Sequence, residues 1–233
     1  MTRTTNARIA GAAFLIYIVV AFPMLVLFSR ATKGEGIEAR LAQIAAHASD
    51  VRLTVILTIA CTFVAFVLAI ALWNITRDED RDIALLGLAC RIAEGLPGAI
   101  FIPGALGLLW LTSPSGSNAL EPATTRAIGE LILASQDWSG IIAASFFAVG
   151  STAFAYLFLR GRIIPVPLAL LGLVGSAVLA VSLPLQLAGY ISRDVVAVMW
   201  YPLAAYEIPL GFWLLIKGAA VPKKLRATHS HGQ

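Results

Sequence analysis

Six long apolar runs, separated by short polar stretches, set the pattern of this chain. They lie near residues 9–28, 53–75, 83–111, 139–159, 165–187 and 195–216. Each is long enough to cross about 30 Å of hydrocarbon as a helix. Backbone groups find no water partners in lipid, so a spanning segment satisfies them internally by coiling. None of the runs alternates apolar and polar residues in the way of a membrane β-barrel. The predicted fold is therefore all-α, a polytopic transmembrane bundle of six helices.

The segments between the runs differ in length. Two are long. The first, residues 31–51, carries Ile37, Leu41, Ile44 and Ala48 at helical spacing. The second, residues 112–138, opens with Ser113-Pro114-Ser115-Gly116 and then repeats Ile128, Leu131, Ile132 and Ser135 in a helical pattern. Both are expected to form short amphipathic helices in the outer loops, lying on the outer surface, capping the bundle or acting as solvated connectors. The other connections, 76–82 and 160–164, leave no room for a linker or a second domain. The whole chain, 1–233, reads as a single transmembrane domain with a polar tail over 219–233. The first run follows Arg3 and Arg8 and ends before Ser29-Arg30-Ala31, a small-x-small triplet. At about twenty residues it is too long for a signal-peptide core and suits a retained span.

Composition changes this picture little. The chain is 59% hydrophobic and only 13% charged, with a mean hydropathy of +0.85. Soluble domains are nearer half apolar and a quarter charged. The formal net charge of +4 is read as topology, with no nucleic-acid partner expected. With the N-terminus inside, ten Lys and Arg residues fall on the inner side (Arg3, Arg8, Arg77, Arg81, Arg160, Arg162, Lys217, Lys223, Lys224 and Arg226) against six outside (Arg30, Lys33, Arg40, Arg52, Arg126 and Arg193). That asymmetry predicts a multi-pass cell-membrane protein with both termini cytoplasmic. Trp73 and Trp213 fall at the inner ends of spans, and Trp110, Trp138 and Trp200 at the outer ends, as an aromatic belt requires. Cys61 and Cys90 lie inside spans and His47, His229 and His231 outside them, so no disulfide framework, metal site or cofactor is expected.

Three charges interrupt the apolar pattern: Arg91, Glu94 and Glu207. A charge in mid-bilayer is costly, so each is expected to face the bundle interior and to pair. Arg91 lies nine residues past Asp82 and Glu207 ten before Lys217, both about 14–15 Å from the inner end at 1.5 Å per residue. Glu94 is one turn deeper. An Arg91–Glu94 pair and an Arg91–Glu207 pair are both open. Tyr17 and Ser151 reach the same depth. Gly87, Gly95 and Gly98 clear a face beside the charges. Pro97 and Pro103 remove amide donors, so the third span is expected to kink or unwind there; Pro209 follows Glu207 in the same way. One guanidinium against two carboxylates leaves a negative charge that a proton would balance, the arrangement a proton relay uses. Thr54, Thr58, Cys61 and Thr62 form a mildly polar stripe on the second span, either a path or hydroxyls bonded to their own backbone. Glu94-Gly95-Leu96-Pro97 and Glu207-Ile208-Pro209 echo one another as inverted halves would, without wider self-similarity.

Several of these features recur in a known pattern. Arg8-Ile9-Ala10-Gly11 opens the first span, and Arg91-x-x-Glu94 lies in the third. Phe146-Phe147-x-x-Gly150, Tyr156-Leu157 and Ile164-Pro165 surround the fourth. Glu207-x-x-x-x-Phe212-Trp213-Leu214-Leu215-x-Lys217-Gly218 closes the last. From about Arg8 to Gly218 the chain resembles a bacterial six-span integral membrane protein family catalogued as a domain of unknown function. The resemblance implies six helices and interest in Arg91, Glu94 and Glu207, but no activity. The chain departs from the pattern at Gln136-Asp137-Trp138, where a His is expected.

Three function classes follow. The first is small-solute or ion/proton-coupled transport or binding through the Arg/Glu site, with a small polar or anionic ligand and the lipid bilayer as partners. The second is a structural or regulatory subunit of a membrane complex, in which buried charges only fix which helices meet. The third, a membrane-embedded enzyme acting on a lipid, is disfavoured because no Asp-rich, HExxH or GxSxG motif falls in the spans.

Overall fold

The computed structural model describes residues 2–118 and 120–220. Lys223, Lys224, Arg226, His229, His231 and most of the expected polar tail lie outside the described residues. Nine helices form among the described residues, and no strand: α1 (Arg3–Ala31), α2 (Ile37–Ala46), α3 (Ala48–Thr76), α4 (Arg81–Ala93), α5 (Gly98–Leu111), α6 (Pro114–Ser117), α7 (Pro122–Gly161), α8 (Val166–Leu187) and α9 (Arg193–Ile216). Helices α1, α3, α7, α8 and α9 are each long and apolar enough to cross a membrane. The remaining apolar run is shared between α4 and α5.

At the third run the expected kink or unwinding takes the form of a turn over residues 94–97, which leaves two helices, α4 and α5. Pro97 closes this turn and has no amide to donate. One boundary differs from the sequence expectation, in the long segment before the fourth span. Its helical pattern is not a separate surface helix. It is the first part of α7, which runs unbroken for 40 residues. No proline occurs between Pro122 and Pro165, so nothing stops propagation. At 1.5 Å per residue α7 is about 60 Å long, twice a hydrocarbon core. By contrast, α5 continues through Pro103 and α9 through both Pro202 and Pro209.

The chain divides into two compact units, one comprising Met1–Tyr17, Val64–Gly95 and Ile141–Gln233, the other Ile18–Phe63 and Leu96–Gly140. In the first unit the core is large and apolar. Phe14 of α1, Leu68, Leu72 and Ile75 of α3, Phe154 and Phe158 of α7, Leu179 of α8, and Leu203, Tyr206 and Leu210 of α9 are buried together. Small residues let these helices approach. A Cβ on Gly11 would land in the α9 backbone at Gly211 and Leu215, and one on Gly172 would enter the Tyr206 ring. Helix association in lipid depends on such close contact, because burial from water contributes little there.

One rim of this unit is tied by charge. Asp80 caps α4, its Oδ1 accepting the Ile83 amide at 3.2 Å. Arg160, at the end of α7, reaches Asp80 at 3.1 Å and Glu79 at 3.5 Å. Arg3 pairs with Asp78 at 3.5 Å and donates to the carbonyls of Ile75 and Ala220. Arg162 takes a left-handed conformation, φ 49°, where the chain turns from α7 to α8.

The second unit has a smaller core of Ala31, Ile44, Val51, Ala105, Leu108 and Leu133. Helix α2 matches the pattern expected over residues 31–51, and it is packed rather than free. A Cβ on Gly129 of α7 would meet Ile37 at 3.2 Å and Leu41 at 3.3 Å, and Arg126 pairs with Glu38 at 2.7 Å. The threonine stripe on α3 is bonded to its own helix: Thr54 donates to Val51, Thr58 to Thr54 and Thr62 to Thr58. Thr58 also approaches the Met24 sulfur at 3.3 Å.

Candidate functional site

The buried charges of the first unit meet around Arg91. Its side chain, 3% exposed, lies in the last turn of α4, where the free carbonyls of a helix end favour a cation. Nη1 donates to Glu94 Oε2 at 2.8 Å. The two residues are three apart, the spacing that places side chains on one helix face. Glu94 is also the C-cap of α4, so the same residue ends the helix and neutralises its last charge.

Two other helices complete the enclosure. Tyr17 of α1 donates its hydroxyl to Glu94 Oε1 at 2.9 Å. Each Glu94 oxygen thus accepts one strong bond. One turn earlier on α1, Phe14 sets its ring 5.9 Å from the guanidinium carbon. On α7, Phe147 lies closer, at 4.6 Å, and Trp200 of α9 stacks on it at 5.9 Å. A guanidinium over an aromatic face is favourable, and more so where water is excluded. Gly150, one turn beyond Phe147, makes this approach feasible. A Cβ there would sit 3.2 Å from Arg91 Cγ, from Cys90 Cβ and from the Gly87 carbonyl oxygen. Gly87 in turn faces the Phe154 ring, 3.0 Å from where its own Cβ would be.

Glu207 of α9 is half-buried in the same unit and forms no ion pair with Arg91 among the described residues. Its charge is felt by both Arg91 and Glu94. Of the two pairings open in the sequence, the direct contact is therefore Arg91–Glu94. Ser151 is buried on α7 but makes no hydrogen bond to Arg91, Glu94 or Glu207. Gly95 and Pro97 form the turn after α4. Gly98, whose Cβ would be 3.7 Å from Thr58 and Thr62, and Pro103 belong to the other unit. Pro209 lies within α9, two residues past Glu207.

Some contributors are not evident from the charges alone. Phe14, Phe147, Gly150 and Trp200 shape the enclosure. A pattern signal existed for two pairs: Phe14 with Tyr17, and Phe147 with Gly150, each three apart on a helix that also carries a residue at the right depth. Gln136 of α7, in the second unit, is 5% exposed, and neither of its amide atoms has a hydrogen-bond partner. It packs at Gly104, whose Cβ would be 3.2 Å from its amide nitrogen.

Chemically, the Arg91 cluster holds one guanidinium, two carboxylates and a phenol inside an apolar, aromatic wall. It can hold or pass a proton and offer hydrogen bonds to a small polar group. No set of three or more His, Cys, Asp or Glu suited to a metal ion occurs among the described residues. No curated protein and no solved structure matches the chain. The sequence model of one family, described as a domain of unknown function (DUF4386), matches residues 9–218. With nearly the whole chain matched, Arg91, Glu94 and Glu207 included, the chain belongs to the DUF4386 family of multi-pass, helical membrane proteins.

Proposed function

We propose that the Arg91 cluster is an intramembrane site for small-solute or ion/proton-coupled binding or transport. The observation that carries this reading is an imbalance. Both oxygens of Glu94 have a partner, in Arg91 and Tyr17, while Glu207 shares their electrostatic neighbourhood without an ion pair of its own. A pair that only fastens helices needs one acid and one base, and the second carboxylate is surplus to that task. Titratable groups gathered in a shielded place are candidates for function. The chain lies in the cell membrane with both termini cytoplasmic, in contact with the lipid bilayer, and the site takes a small polar or anionic ligand beside Arg91 or a proton at Glu207.

The test is ligand-induced melting of the purified protein across a panel of metabolites at two pH values. At least one compound is expected to raise the melting temperature of the wild type and to lose that effect in Arg91→Ala and Glu207→Gln. Identical responses in wild type and both variants would remove the support for the reading. A second reading, that the charges serve only to join helices within a larger membrane complex, draws on the 2.9 Å bond by which Tyr17 of α1 ties the Arg91–Glu94 pair of α4 to a second helix. It expects both variants to misfold and the charge-swapped Arg91→Glu/Glu94→Arg protein to fold again. Lipid turnover by pure protein in defined vesicles would instead move the chain into the enzyme class.

A further inference from the structure

The end of α1 carries a second feature, in the other unit and unrelated to the Arg91 cluster. Leu25, Val26, Ser29, Arg30 and Lys33 line a shallow groove of about 460 Å³. Their order along the chain is graded. Leu25 and Ser29, and Val26 and Arg30, are each four apart on α1 and share a face, and Lys33 follows two residues past the helix end, so the lining runs from apolar through hydroxyl to cationic. Its lower part faces outward: Leu25 is 63% and Val26 49% exposed, and Phe22 one turn earlier is 67% exposed. In a spanning helix those side chains meet acyl chains. Arg30 and Lys33 are exposed at the helix end and form no ion pair among the described residues. Glu35, the nearest acid in sequence, does not line the groove. Glu38 is taken by Arg126, and Arg40 is turned to the Gly34 carbonyl.

We propose that this groove binds one anionic phospholipid. Its phosphate sits between Arg30 and Lys33, the Ser29 hydroxyl is beside it, and an acyl chain lies along Val26, Leu25 and Phe22. The argument is complementarity along the strip. Two unpaired cations stand where a helix leaves hydrocarbon, directly above exposed apolar side chains, and a phospholipid presents charge and hydrocarbon in that same order. A soluble anion would use only the upper half of the groove. A zwitterionic lipid would bring its own ammonium to the two cations.

The experiment is native mass spectrometry of the full-length protein in detergent, titrated with phosphatidylglycerol, phosphatidylcholine or glycerol phosphate. A Lys or Arg near an anionic lipid surface is worth about a fivefold gain in affinity. Arg30→Gln/Lys33→Gln should therefore weaken the first phosphatidylglycerol binding event about 25-fold. Arg52→Gln, an exposed cation of the same unit outside the groove, should leave it unchanged. The replaced side chains are exposed, so both variants should melt as the wild type does. Equal affinity for phosphatidylglycerol and phosphatidylcholine would overturn the proposal. So would an undiminished affinity in the double variant, an equal loss in Arg52→Gln, or glycerol phosphate binding as tightly as the lipid.

Discussion

Replacing Glu94 by Leu should destabilise the protein by about 4 kcal/mol, and replacing Arg91 as well should restore most of that loss. The reasoning starts from burial. Arg91 and Glu94 are 3% and 9% exposed as side chains and touch at 2.8 Å. Removing one partner of a buried pair typically costs about 3–5 kcal/mol, because the other charge is left without compensation. The Phe147 face at 4.6 Å already contributes in the wild type and cannot offset the loss. Glu207 can offset part of it through its field, which places the ion-pair loss near the lower limit, about 3 kcal/mol. The Tyr17 hydroxyl loses its acceptor too, which adds about 1 kcal/mol. In Arg91→Leu/Glu94→Leu no buried charge of the pair remains, and apolar replacement of buried pairs is often neutral. The double variant should lie within about 1 kcal/mol of wild type, far less than either single loss, so the two changes should not add. Reversible denaturation with SDS in bicelles, followed by tryptophan fluorescence, measures all four corners of the cycle. A Glu94→Leu loss below about 1 kcal/mol, or a double variant as unstable as the sum of the singles, would refute Glu94 as the counter-charge of Arg91.

Three further outcomes are expected in the same assay. Gln136→Leu should stabilise by about 1–2 kcal/mol, because the amide has no partner and an orphan buried polar group costs about that much; a loss of stability would show that the amide is satisfied. Gly11→Ala should destabilise by about 2 kcal/mol or more, since its Cβ would overlap the backbone of α9 and helices packed this tightly must part; an unchanged midpoint would place α1 farther from α9. Gly140→Ala should stabilise by about 0.5–1 kcal/mol, since nothing lies within 4 Å of its Cβ position and alanine is the better helix former; destabilisation would reveal a neighbour packed there.

The helices themselves were legible because membrane solvent allows few backbone solutions. The five long spans follow from apolar run length, and α2 from the spacing of Ile37, Leu41 and Ile44. The start of α7 is not legible in the sequence because the segment from Pro122 to Asp137 is polar on one side, as a surface helix would be. A helix propagates as long as no residue stops it, and no proline intervenes. The break after α4 had a local cause in Pro97, whereas Pro103, Pro202 and Pro209 are absorbed within their helices. Proline therefore marked candidate breaks without deciding among them. At the break after α4, a buried ion pair and a phenol hold Glu94, the cap that follows the last helical residue.

Sequence alone determined that the chain is a helical membrane protein and that Arg91, Glu94 and Glu207 fall within its apolar runs. The expectation that they share a depth comes from counting residues along a helix of known rise, which needs no tertiary information. Tertiary structure decided the partners. Which of two carboxylates touches Arg91 depends on helix rotation and on the distance between axes. Those are set by Gly87, Gly150 and the rings of Phe14, Phe147 and Phe154. Two glycines that permit close packing and aromatic faces that fill what remains leave the guanidinium one direct acid, Glu94. Glu207 lies on α9, whose Tyr206 ring fits against Gly172 of α8, and it stands near the pair without joining it.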